Sequence, residues 1–164
     1  MAIAVKPFSE DMAGGVIDLI LPIQQDEFGV AISLADQPDL SDIPGFYQHG
    51  AGGFWVAIDD QSDGKVIGTI ALIDIGSGAA ALRKMFLGAD YRGGGRGIAA
   101  KLLATLIDHG RAQGLTQIIL GTTPMMAGAH RFYEKNGFQE IDESDLPQAF
   151  PVMAVDKRFY RLTL

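Results

Sequence analysis

The residues of this chain best suited to chemistry lie in the stretch Tyr91-Arg92-Gly93-Gly94-Gly95-Arg96-Gly97-Ile98-Ala99. Four glycines fall within five residues, accompanied by two arginines. Glycine lets a backbone turn with positive φ and lets a ligand approach it closely. A strand-like run, Leu82-Arg83-Lys84-Met85-Phe86-Leu87, comes just before, and an amphipathic helical pattern comes just after. A helix N-terminus leaves free N–H groups and a partial positive charge. Together these make a cradle for a phosphate or pyrophosphate. Read alone, a glycine run is a flexible surface loop; the strand before it and the helix after it turn it toward anion binding.

Composition bounds the rest. The chain has 164 residues, enough for one domain with a sizeable core, and residues 1–164 are expected to form that single domain. Apolar residues make up 48% and charged residues 20%, as in ordinary soluble globular proteins. A net charge of −7 argues against nucleic acid or an anionic membrane as a partner. With no cysteine there is no disulfide, thiol nucleophile or zinc–thiolate site. No signal-peptide core and no apolar run of membrane-spanning length occur, so a cytoplasmic location is expected.

The elements that must position the loop can be read in order. Residues 3–5 form a short strand. Ser9 caps a helix over residues 11–21, which Pro22 ends. Residues 24–53 are the least regular part, and Pro38 and Pro44 bracket a short acidic helical piece with Asp39 and Asp42. Strands at 54–58, 66–75 and 80–87, joined by tight turns, read as an antiparallel meander. Then the period changes. Ile98, Leu102 and Leu106, with Leu103 and Ile107 beside them, mark a helix over 97–113 facing a sheet, and Gly114 ends it. Residues 117–121 are a short buried strand. Strand, loop, helix and strand make a βαβ unit, whose strands must be parallel neighbours. Thr123 and Pro124 open a second helix that runs to about Lys135. Strands at 138–141 and 158–162 close the fold.

Two familiar phosphate loops are excluded. Gly93-x-Gly95 followed by Ile98 breaks the dinucleotide G-x-G-x-x-G spacing, and no Gly-Lys-Ser/Thr occurs. An antiparallel meander ahead of the loop fits instead the acyl-CoA loop of N-acetyltransferases. Here the chain resembles the GNAT-type N-acetyltransferase superfamily. Its signature, Gln/Arg-x-x-Gly-x-Gly/Ala at the end of the fourth strand, is matched by Arg92-Gly93-Gly94-Gly95-Arg96-Gly97. A second register, Gly94-Gly95-Arg96-Gly97-Ile98-Ala99, matches except at its first position; it starts the helix better, after Ala99, so the loop is read as about two residues longer than the common form. The segment Ala129-His130-Arg131-Phe132-Tyr133-Glu134-Lys135-Asn136-Gly137-Phe138 resembles a second family motif, about 40 residues on and in the expected order. The family's Asn seven residues before the tyrosine is Met126 here.

The resemblance implies an α/β (α+β) fold: a mixed, mainly antiparallel sheet with helices on both faces and a splayed parallel strand pair. It implies acetyl-CoA as cosubstrate and no metal. The pantetheine arm pairs with backbone of Met85, Phe86 and Leu87. The pyrophosphate lies on the loop from Arg92 to Ala99 (Arg92, Gly93, Gly94, Gly95, Arg96, Gly97, Ile98 and Ala99), with Phe132 nearby. A backbone N–H near Phe86 or Leu87 stabilises charge on the thioester oxygen. Tyr133 matches the family tyrosine that protonates the departing thiolate; without that motif it reads as a core aromatic. The activity implied is acetyl transfer from the thioester to a primary amine of a small molecule or peptide, by direct attack in a ternary complex. The alternative is an acyl-CoA-binding module without turnover.

The residues leave the general base and the acceptor open. Glu27, Asp74 and Glu134 are carboxylates on elements that reach the site, or else solvated surface groups. His49, His109 and His130 are further candidates, with His130 expected on the outward face of its helix. Glu27, Asp36, Asp39, Asp42 and Asp142-Glu143-Ser144-Asp145 either form an acidic mouth for a cationic amine or are ordinary surface charge. Trp55, Phe46 and Tyr47 line an acceptor pocket or close the core. A monomer or a homodimer through the last strand is expected.

Overall fold

A computed structural model describes residues 3–93, 97–122, 127–153 and 156–164. The meander is present as read: β2 (Gly53–Asp59), β3 (Lys65–Gly76) and β4 (Ala79–Leu87) are antiparallel neighbours. The first strand, β1 (Ile3–Pro7), pairs antiparallel with β2 on the outer edge. On the other side β4 meets β5 (Gln117–Thr122), and this pair is parallel. Then β7 (Arg158–Thr163) and β6 (Gln139–Ile141) follow, both antiparallel to their neighbours, giving the order β1-β2-β3-β4-β5-β7-β6.

Alternation along the strands sorts side chains to two faces. Trp55 and Ala57 of β2 face one way, with Ile67, Leu72, Leu82 and Ile118. Against them lies α4 (Ile98–Ala112), which buries Ile98, Leu102, Leu103 and Leu106, as the apolar spacing requires. Each such fully buried leucine contributes about 1.5–3 kcal/mol relative to exposure. Gly68 lets the helix sit this close: a Cβ there would stand 3.0 Å from Leu102 and 3.1 Å from Leu87. Tyr133 of α5 (Ala127–Lys135) completes the same face. Phe54, Val56 and Ile58 face the other way, onto Val16 and Ile20 of α1 (Ala13–Pro22), Leu40 of α2 (Pro38–Ser41), and Ile43 and Tyr47 of α3 (Ile43–Tyr47). Helices therefore cover both faces.

One local expectation is corrected and one refined. Ser9 makes no side-chain cap; its hydroxyl bonds Asp11, and a single 3₁₀ turn, Glu10–Met12, precedes α1. The α-helix does end at Pro22, but the chain does not leave the helical path there. Proline gives no N–H to the carbonyl four residues back and crowds it with its ring, but its φ of −60° is helical. The chain continues through a wider turn, Ile23–Glu27, closed by Phe28 N–H to Ile23 C=O at 3.0 Å.

Candidate active site

The parallel pair holds for only three residues. Ala79, Ala80 and Ala81 pair with Gln117, Ile118 and Ile119, and there β4 and β5 part. β5 stays with β7 as far as Thr122, while β4 stays with β3. The wedge between them is a cleft of about 800 Å³ whose lining comes from both faces of the sheet. Leu82, Met85, Leu120 and Tyr133 line it on the α4–α5 side; Phe28, Arg83, Phe150 and Met153 line it on the other.

From Leu82 onward β4 thus has a strand edge with no strand partner among the described residues. Such an edge accepts an added extended segment through its free amides and carbonyls. Gly88 N–H donates to Ile67 C=O at 2.8 Å, so strand alternation turns the neighbouring Leu87 N–H to the cleft side. A bulge sits just before. Lys84 and Met85 together oppose Ile70, and Lys84 takes a φ of +52°. Thr69 Oγ1 donates to the Lys84 carbonyl at 2.7 Å and holds this geometry. The bulge re-aims β4 beside the cleft, the usual place for one next to a site.

The Lys84 side chain is buried, only 8% exposed. Its Nζ lies 3.5 Å from Asp39 Oδ2 and donates to Gln37 Oε1. Tyr47 hydroxyl donates to the same Asp39 oxygen. Gln37 and Gln24 bond each other amide to amide, at 2.9 and 3.0 Å. This network ties the bulge to α2, α3 and the wide turn after α1. Burial lowers the pKa of Lys84 and, with the Asp39 charge, raises that of Tyr47.

At the far end of β4 the glycine loop leads into α4. Gly97 is its N-cap, with φ +67°, and offers no side-chain cap. The first intrahelical bond is Lys101 N–H to Gly97 C=O. The helix therefore begins at Ile98, which fits the register ending on Gly97 rather than a start after Ala99. The Ile98 side chain is buried in the core, so that residue offers the cradle only its backbone, as does half-buried Ala99. Gly93 also has positive φ, +62°. Gly94, Gly95 and Arg96 lie outside the described residues. Arg92 is engaged: its Nε donates to Leu87 C=O at 2.7 Å and its guanidinium pairs with Glu27. That pair holds Glu27 below its usual pKa and links the turn after α1 to the loop.

Tyr133 meets both descriptions given from sequence. It is 5% exposed and packs on Phe132, Phe138 and Tyr160, with centroids 5.5–6.4 Å apart, yet it also lines the cleft. Burial pushes its pKa well above the ordinary tyrosine value. It therefore holds its proton at neutral pH, as a donor must and a base cannot. Half-buried Phe132 packs at the edge of the same core.

The cleft thus brings together a strand edge opened by splay, a helix N-terminus that follows a glycine loop, and a tyrosine that keeps its proton. Residues 17–138 match the model of the acetyltransferase (GNAT) family. The chain belongs to that family. A GNAT-family acetyltransferase structure from Staphylococcus aureus superposes with a TM-score of 0.92 at 38% identity, covering 99% of both chains. Rat N-acetyltransferase 8 is 36% identical over 110 residues, 65% of this chain and 48% of that protein. The N-acetylaspartate synthetase of Xenopus tropicalis is 33% identical over 112 residues, 67% of this chain and 40% of that protein. The chain thus spans about half the length of the curated relatives it matches or less.

Within this GNAT fold the remaining candidates fall into place. Asp74 accepts the Ala51 and Gly76 N–H groups, which lower its pKa, so it shapes two turns. Glu134 accepts the Tyr160 hydroxyl at 3.0 Å. His109 bonds the Ala51 and Gly52 carbonyls and stacks edge-on with Trp55. His130 is not on an outward face: it is 5% exposed, beside Arg158 at 3.0 Å. Its cover comes from β7, far away in sequence. His49 is exposed. Trp55 and Tyr47 are core residues and Phe46 is exposed, so none of them lines the cleft. Among the described residues no acidic mouth forms. Asp36 bonds Ser33, Asp42 caps α3 at Gly45 N–H and Asp142 caps the 3₁₀ turn Glu143–Asp145. Among the described lining residues the one carboxylate is Asp156, against Arg83, Lys84 and Lys157. Thr123, Pro124 and Met126 lie outside the described residues.

Proposed function

We propose that residues 1–164 act as one acetyl-CoA-dependent N-acetyltransferase domain, which moves an acetyl group to a primary amine in a ternary complex. The observation that supports this best is the cleft itself, lined from both faces of the sheet, which suits two substrates that meet from opposite sides. The open β4 edge from Met85 to Leu87 suits the amides of a pantetheine arm. The N-terminus of α4, with Gly93 and Gly97, suits the pyrophosphate. Bound there, acetyl-CoA supplies an activated thioester. A C–N bond forms to the amine and the C–S bond breaks; the amine loses a proton and the thiolate gains one. The Leu87 N–H is placed to donate to the thioester oxygen as charge grows there. Tyr133 holds the proton for the sulfur.

Release of free thiol from acetyl-CoA, followed with a thiol reagent across a panel of amines, tests this. Turnover with at least one amine is expected. Tight acetyl-CoA binding with no turnover of any amine would favour the non-catalytic module instead.

The cradle has its own test. Gly97→Asp puts a carboxylate beside the free N–H groups of α4. Any side chain is strained at the left-handed φ of Gly97, but Asp tolerates it better than most residues and no atom stands in the way of its Cβ, so the fold should survive with a modest fall in melting temperature. Phosphate should lose at least one charge-assisted bond of about 1.5–3 kcal/mol, roughly 10- to 100-fold in affinity. Isothermal titration with coenzyme A measures it; unchanged affinity in the folded variant would remove Gly97 from the cradle.

A further inference from the structure

The acceptor side of the cleft carries a charge pattern that names a substrate class. Arg83 lies on β4 opposite Ala71, immediately before the bulge. Two residues earlier on the same face, Ala81 packs with Phe150 and Phe159. Arg83 is half-buried as a residue, and among the described residues its guanidinium makes one side-chain bond, a weak one, Nη2 to Met153 Sδ at 3.7 Å. Among the described residues no carboxylate stands within ion-pair distance of it. Lys84 beside it is already held by Asp39 and Gln37. Across the cleft Lys157 is fixed to the end of β5 by its N–H to Thr122 C=O, 3.1 Å, and its ammonium likewise has no ion-pair partner among the described residues. Asp156 offsets these cations only in part: its carboxylate turns to the Met153 N–H at 3.0 Å.

A guanidinium that lines an apolar cleft without an ion-pair carboxylate is free to take one from a ligand, and its planar fork matches a carboxylate with two parallel bonds. The surrounding wall is apolar: Phe28, Val30, Ile32, Phe150, Pro151 and Met153. We propose that Arg83 anchors the carboxylate of the acceptor, with Lys157 as a second cation on the facing wall, and that the acceptor is a free amino acid with an apolar side chain. This rests on the transferase assignment above and gives its acceptor class.

Binding separates the two ideas. Protein saturated with coenzyme A is titrated calorimetrically with N-acetyl-leucine, N-acetyl-leucinamide and N-acetyl-aspartate. The wild type should bind N-acetyl-leucine at least about tenfold more tightly than its amide, the worth of one good charge-assisted pair, and more tightly than N-acetyl-aspartate. Arg83→Met should bring the acid-to-amide ratio near one, and Arg83→Lys should leave an intermediate ratio. Thermal melting confirms that each variant is folded; if Arg83→Met is not, the wild-type preference and its partial loss in Arg83→Lys decide the matter. No acid preference in the wild type, or a preference that survives in a folded Arg83 variant, overturns the anchor. Tighter binding of N-acetyl-aspartate overturns the apolar side chain. Turnover of amines without any carboxylate preference sinks the anchor and leaves the transferase standing. Carboxylate-dependent binding with no turnover of any amine does the reverse.

Discussion

Tyr133→Phe should lower kcat by roughly 10²-fold or more while acetyl-CoA affinity stays nearly constant. The substitution keeps the ring, and with it the contacts to Phe132, Phe138 and Tyr160 that hold this end of α5 on the sheet. It removes only the hydroxyl. An acid that acts at the departing sulfur contributes in the transition state and not in the bound ground state, so the loss falls on kcat rather than KM. Two further readouts separate a proton donor from a packing residue. An acyl donor whose thiol leaves more easily should recover part of the rate. The wild-type rate should also show no alkaline fall from Tyr133 below about pH 10, because burial raises its pKa and the donor form persists as pH increases. Normal kcat in Tyr133→Phe with a good acceptor would leave Tyr133 a core aromatic and return the non-catalytic module to consideration.

That residue also shows how far the sequence carries. The period of residues 98–106, the meander turns and the terminal Gly114 are local signals, and the elements they predict are present in order. The parallel pairing of β4 with β5 follows from the βαβ connection alone. Its length does not. Whether two strands remain paired for three residues or six depends on what each prefers on its other side, and here β3 and β7 take β4 and β5 apart. Burial of His130 was equally hidden, since its cover, Arg158, arrives from the last strand. Of the two readings of the acidic residues, the acidic mouth fails among the described residues because counting charges ignores pairing: Glu27 and Asp39 are spent on Arg92 and Lys84. Arg83 did leave a signal. Arg83-Lys84 are adjacent cations inside an otherwise apolar strand, and neighbours on a strand point to opposite faces, so at least one of them needed a partner inside the protein or a ligand.

The partner found for the other, Lys84, leads to the largest expected loss of stability. Asp39→Ala should destabilise the fold by about 3–5 kcal/mol, the usual effect of breaking a buried pair from one side. Both partners are nearly enclosed, with side chains 8% and 12% exposed. Removing the carboxylate strands the Lys84 ammonium with Gln37 as its acceptor, and strands the buried Tyr47 hydroxyl as well. At this chain length about 1 kcal/mol corresponds to a melting shift of about 2–4 °C, so a fall of roughly 10 °C is expected. Lys84→Met removes the charge and keeps an apolar stem, leaving Asp39 its bond from Tyr47. The double variant Asp39→Ala, Lys84→Met should therefore be more stable than Asp39→Ala alone, with a coupling of about 1–3 kcal/mol in a double-mutant cycle. Urea denaturation of the four proteins measures it. Additive losses would mean that the two side chains do not act as a pair. A real coupling places the Lys84 bulge, and so the aim of β4 beside the cleft, under the control of α2.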